Sequence, residues 1–319
     1  MSDYKKDLIA RFWEYQREYF ADWQKYCERP FQPHGRPPVF LKHTAHHNIL
    51  MEPGLSPIRQ KQLLDEVPAN ARHRWFRSMK SSQALAQSVF ANLKIINCLH
   101  YLAEVTDESG EPLFGDAPVI PSNLTLEYAV SFLGEPRPTN LDVFISGDYQ
   151  VAIECKFTET EVGKCSRPGL KKRDSNYETD YCDGNYSRQR GRKARCSLTE
   201  IGVLYWKYVP ELFVWRDDTD HKPCPLDKNY QLVRNLLAAC IRPDGSSSPK
   251  RGHVLIIYDE RNPAFKEDGH GFTAYEETRA ALKTPSLLRK CSWQRITGHL
   301  RTKADLSWLT ELFAVKYGL

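Results

Sequence analysis

T-N-L-D-V-F-I at 139–145, followed after a turn by A-I-E-C-K-F at 152–157, is the stretch from which the fold can be read. Both segments are short and rich in β-formers, and Gly147-Asp148 lies between them, so they predict two neighbouring strands. Side chains two apart share a strand face. Glu154 and Lys156 therefore point one way, while Ile153, Cys155 and Phe157 point the other. Charges in such a strand are costly to bury unless they are paired or bind a metal. If Asp142 stands opposite Glu154, paired positions must sum to 296, which needs a loop of three or five residues or a bulge. A two-residue turn would set Asp142 across from Ile153 and aim it at the wrong face. The longer loop is the expectation.

Outward from this hairpin, LTLEYAV (124–130) predicts a preceding strand and HVLIIYD (253–259) a buried one. Helical periodicity covers 3–28 up to Pro30, 57–67 behind Ser56 and Pro57, 81–102, 198–213, 226–241, and segments near 274–283 and 303–316. The expected fold class is α/β, a central mixed sheet flanked by helices with a helical N-terminal region. The expected division is 1–80 helical, 81–260 core and 261–319 a helical extension. No internal repeat is visible.

The chain has 319 residues, 41% hydrophobic and 27% charged, with 7 Trp, 16 Tyr and 14 Phe. That supply of apolar surface excludes global disorder. No apolar run approaches the length of a membrane span, and charges interrupt the first thirty residues, so neither a membrane nor a secretory signal is expected. The nine cysteines contain no C-x-x-C pair and are expected to be reduced thiols in the cytoplasm. Net charge is +5, and 164–196 supplies it all, with ten basic residues against four acidic. Tyr177, Tyr181 and Tyr186 interleave with these charges. Lys171, Lys172, Arg173, Arg188, Arg190, Arg192 and Lys193 are candidate phosphate contacts, and the tyrosines would stack on bases or pack beneath the loop. A plain solvated loop is the alternative.

Asp142 and Glu154 are hard oxygen donors suited to Mg²⁺, with Mn²⁺ as a substitute. Such an ion would polarise a scissile phosphate and lower the pKa of a bound water. Lys156 would orient that water and offset charge developing on the phosphate, and Glu127 would complete the shell or hold a metal water from outside it. In 226–241, Gln231, Arg234 and Asn235 form a polar stripe that would bring Gln231 to the site and Arg234 to a phosphate. The alternatives are an exposed hairpin of paired charges and a solvated helix face.

Together these residues resemble the PD-(D/E)XK nuclease superfamily, the restriction-endonuclease-like fold, over roughly 82–260. The pieces are Ser82-Gln83 on a helix, Glu127-Tyr128, Asp142, Glu154-x-Lys156, and Tyr230-Gln231 with Arg234-Asn235 on a later helix. The pattern looks like that of restriction-type or phage-associated nucleases. One departure is that no proline directly precedes Asp142; Pro138 lies four residues earlier. The resemblance implies an Mg²⁺-dependent endodeoxyribonuclease. The alternative is an inactive scaffold that binds nucleic acid or a partner. The residues do not separate DNA from RNA, and a homodimer able to reach both strands is compatible with them.

Other metal sites are not expected. Cys165, Cys182, Cys196, His221 and Cys224 lack a closely spaced first pair for zinc, and His43, His46 and His47 sit in a loop. Cys155 is expected to act as a small core hydrophobe. No G-x-x-x-x-G-K-[ST] loop is present, so ATP hydrolysis is not expected.

Overall fold

A computed structural model describes residues 2–29, 35–175, 177, 181–188 and 191–319. Helices of eight residues or more are α1 (Asp3–Tyr19), α2 (Pro57–Asp65), α3 (Ser82–Ile95), α4 (Tyr205–Leu212), α5 (Pro225–Cys240), α6 (His270–Ala281), α7 (Trp293–Leu300) and α8 (Ser307–Tyr317). The strands are β1 (Leu124–Val130), β2 (Thr139–Ile145), β3 (Gln150–Cys155), β4 (Gly252–Tyr258) and β5 (Leu288–Ser292). They form one sheet in the order β1-β2-β3-β4-β5. The first three are antiparallel neighbours, and β4 and β5 join parallel, so the sheet is mixed.

Helices cover both faces. On one side α1, α3, α7 and α8 meet Val143, Ile145, Val151, Ile153, Cys155, Leu255 and Ile257. On the other, α4, α5 and α6 meet Phe144, Ala152, Val254 and Ile256. Every residue of β4 is buried, as expected of a central strand flanked by parallel partners. Among the described residues no helix is long and apolar enough to cross a membrane.

The hairpin has the predicted register, with Val143 opposite Ile153 and Ile145 opposite Val151. Residues 146–150 form the five-residue connection. This parity holds Glu154 and Lys156 on the α5 side and Ile153, Cys155 and Phe157 in the opposite core.

Three expected helices are shorter than their periodicity suggested. The first stops at Phe20, where φ −135° and ψ 57° turn the chain so that the ring packs on Phe40 and Tyr26. The third stops at Ile95 with Asn97 at φ 59° and Cys98 N–H bonded to the Leu93 carbonyl, a left-handed helix ending that satisfies a terminal carbonyl. The expected helix at 198–213 is broken between a single turn at Ser197–Glu200 and α4. The break is where the Gly202 carbonyl lies against Gly134; a Cβ on Gly134 would stand 2.2 Å from it. Strand β5 and helix α7 lie outside the expected elements; in β5, Arg289 and Lys290 interrupt the apolar pattern of a five-residue strand.

Candidate active site

Glu154 and Lys156 leave β3 towards α5, and both are nearly inaccessible, at 2% and 6% exposure. The Lys156 ammonium lies 2.9 Å from Glu154 Oε1 and donates to Gln231 Oε1 at 2.8 Å. Gln231 Nε2 donates back to Glu154 Oε1 at 2.7 Å, closing a three-residue ring. Asn235, one helical turn on, donates to Glu154 Oε2 at 2.9 Å. Helix α5 therefore grips the carboxylate with two side chains at i and i+4. The loop following β3 closes over Gln231: Gly163, at φ 106°, lies so near that an added Cβ would stand 2.5 Å from Gln231 Oε1.

Asp142 arrives from β2, with Cys155 N–H donating to its Oδ2 at 2.7 Å. Although Asp142 keeps some exposed surface, its carboxyl is desolvated. That desolvation, together with the nearby charges of Glu154 and Glu127, raises its pKa well above the ordinary carboxylate value; Lys156 and the Cys155 N–H oppose the rise. Glu127 is raised as well, first by desolvation and then by Glu154, against hydrogen bonds from Gln83 and Asn140. Burial pulls Lys156 down, but Glu154, Glu159 and Asp142 outweigh it and hold the ammonium above its usual value. Three mutually repelling carboxylates, with one ammonium beside Asp142 and Glu154, form a site that gains from further positive charge.

The β1–β2 ladder is interrupted where Glu127 meets Asp142. Register is the same on either side, Leu126 with Val143 and Tyr128 with Leu141, so no residue is inserted. Glu127 has φ 51°, a left-handed conformation that is rare for a side chain inside a strand. Across it the strands exchange faces: Leu126 and Val143 pack in one core, Val130 and Leu141 in the other. Backbone strain at the meeting point of two acids suits a functional position.

The remaining residues fall into two groups. Arg234, expected at a phosphate, is buried at 7% exposure and donates to Asn235 Oδ1 at 2.8 and 3.0 Å and to the Asn140 carbonyl at 3.2 Å. In this arrangement it orients Asn235. Lys171, Lys172, Arg173, Arg188 and Lys193 are exposed. Arg192 is half-buried and pairs with Glu200 at 2.9 Å. Arg190 lies outside the described residues. Tyr186 is buried beneath the segment, its ring 3.6 Å from that of Trp206.

Sequence reasoning missed Glu159. It accepts from Phe157 N–H at 2.6 Å and from Ser82 Oγ at 2.7 Å, and its charge acts on Lys156. Its place three residues beyond Lys156 was the available signal. Asn140 was also missed; it donates to Glu127 Oε2 at 3.2 Å, and its place two residues before Asp142 was the clue.

As a donor set, Asp142 and Glu154 offer hard oxygens with lone pairs left over, which fits a small divalent cation that keeps most of its waters. Among the described residues no group of three or more His, Cys, Asp or Glu side chains stands ready as a metal cage.

A mixed sheet with an acid on each hairpin strand, a lysine two residues on, and a helix that grips the second acid is the arrangement of the restriction-endonuclease-like class. Within that class, residues 10–318 match the model described as REase-ARP, Restriction Endonuclease associating with ARP, and the chain belongs to this PD-(D/E)XK-associated family. Comparison with curated proteins and with solved structures finds no significant match.

Proposed function

We propose that the chain is a divalent-metal-dependent nuclease that hydrolyses DNA phosphodiester bonds, with Asp142 and Glu154 as ligands of Mg²⁺ or Mn²⁺. The observation that carries this reading is the meeting of Asp142, Glu154 and Glu127 closely enough for their charges to repel, with the Lys156 ammonium acting on Asp142 and 2.9 Å from Glu154. When bound, the ion would polarise the scissile phosphate and lower the pKa of a coordinated water. Lys156 spends two of its three N–H donors on Glu154 and Gln231, leaving the third for a water or a phosphate oxygen. Gln231 fixes that ammonium, and Arg234 acts through Asn235. The exposed basic residues of 164–196 would neutralise phosphates along the strand. RNA would satisfy the same contacts, and a homodimer would present one site to each strand of a duplex.

A second reading is a protein that keeps this scaffold to bind nucleic acid or a partner without cutting. Two observations favour it: the lack of a ready metal cage among the described residues, and the engagement of Glu154 by three donors, Lys156 and Gln231 on Oε1 and Asn235 on Oε2. The family description, which names an association with ARP, agrees with a partner.

Incubation of supercoiled and linear DNA with Mg²⁺ or Mn²⁺ separates the two. The nuclease reading expects cleavage that EDTA abolishes and that folded Lys156→Ala and Asp142→Asn variants lose. Salt-sensitive DNA binding without cleavage, or full activity in both variants, overturns it.

A further inference from the structure

Cys165, Cys182, Cys196 and Cys224 are widely separated in sequence, but the fold gathers them. Backbone hydrogen bonds tie together three of the segments that carry them. Cys165 N–H donates to the Asp227 carbonyl and Cys224 N–H to the Gly184 carbonyl, each at 2.8 Å. Cys196 immediately precedes the single turn at Ser197–Glu200 and, with Cys165 and Cys224, packs on the core beneath α4 and α5. Cys182 and Cys196 are each only 8% exposed. Three of the sulfurs accept a hydrogen bond from the backbone N–H two residues on: Cys165 from Arg167, Cys182 from Gly184 at 3.4 Å, and Cys224 from Leu226. A backbone N–H aimed at sulfur favours thiolate over thiol. All four are free cysteines.

We propose that Cys165, Cys182, Cys196 and Cys224 form a structural tetrathiolate site for zinc, which clips the basic segment 164–196 to the start of α5. Soft thiolates in a tetrahedral set are the donors that select this ion. Every pair among the four is close enough for each sulfur to act on the other's charge. Without a cation, burial pushes the Cys165 thiol up to about 12 and also raises Cys182 and Cys224, so metal binding releases their protons to solvent. Arg192 acts on Cys182 in the opposite sense and would offset part of the site's negative charge. His221 is otherwise occupied, with Nε2 2.8 Å from the Arg216 carbonyl and its ring stacked on Trp206. Among the described residues no three His, Cys, Asp or Glu side chains stand at metal-ligand spacing, so the proposal requires the four cysteine side chains to turn inward when the ion binds.

The clip would bear on the active site from both sides. Cys224 caps the helix that carries Gln231 and Asn235, and Cys165 lies two residues beyond Gly163, which packs on Gln231. It does not depend on whether the chain cuts DNA.

The test is metal analysis of the full-length protein without nucleic acid. Plasma mass spectrometry should find about one zinc per chain after dialysis against EDTA, and Co²⁺ exchange should give the thiolate charge-transfer and intense visible bands of tetrahedral cobalt. A C182S/C224S double variant should lose both signals, and Cys27→Ser should keep them. If the double variant does not fold, zinc released on titrating the wild-type thiols with a mercurial decides the matter. Zinc-free protein with only a weak octahedral cobalt spectrum overturns the proposal, as do disulfides found by intact mass, or zinc retained after the thiols are blocked.

Discussion

Replacing Asn235 with alanine removes the amide that connects Arg234 to Glu154. Asn235 is fully buried, so water has no route to take its place. Two losses follow. Glu154 Oε2 loses a charge-assisted donor at 2.9 Å, which costs about 1.5–3 kcal/mol for a hydrogen bond to an ion. Arg234 loses the acceptor of its Nε and Nη2 and keeps the Asn140 carbonyl, a further cost of about 1–2 kcal/mol. The expected destabilisation is therefore about 2.5–5 kcal/mol, close to what is seen when one partner of a buried charged network is removed. Urea unfolding followed by circular dichroism measures it, with a lower midpoint and an unchanged slope. A loss below about 1 kcal/mol at constant slope would show that Asn235 does not hold Glu154 and would refute the reasoning.

Gly163→Ala should push Gln231 off Lys156 and lower DNA cleavage by about tenfold or more in kcat, a barrier change of roughly 1.4 kcal/mol, with little change in fold as judged by circular dichroism. Asp142→Asn should stabilise the protein at neutral pH, because a carboxyl whose folded pKa is raised favours folding below its ordinary value of 3.8 and loses that contribution as pH rises through the folded value. Unfolding free energies measured from pH 4 to 8 should show the variant's advantage growing with pH, and a constant difference would contradict this. Changing Lys171, Lys172 and Arg173 together to alanine should weaken DNA binding and reduce the salt slope by about 2–3, measured by fluorescence anisotropy; an unchanged slope would remove the segment from the interface.

Much of the site's scaffold could be read from strand parity. The alternation of Glu154 and Lys156 with Ile153, Cys155 and Phe157, and the five-residue connection, follow from a period of two, and they hold because each face meets a different core. Gln231 was visible as part of the polar stripe it forms with Arg234 and Asn235 on α5. The exchange of faces at Glu127 was not visible, because nothing in LTLEYAV marks it and only the backbone angle and the packing show it. Strand β5 escaped because Arg289 and Lys290 stand where apolar residues mark a strand. The cysteine group escaped because spacing carries no information when loops and a helix start are joined by backbone bonds between segments distant in sequence.

The most direct measurement is a crystal of the wild-type chain soaked in Mn²⁺, with anomalous scattering recorded beside one of Asp142→Asn. An anomalous peak between the Asp142 and Glu154 carboxylates, absent from the variant, is the predicted result. Well-ordered carboxylates with no peak between them, at an Mn²⁺ concentration that supports DNA binding, would contradict the nuclease reading and leave a scaffold that binds without cutting.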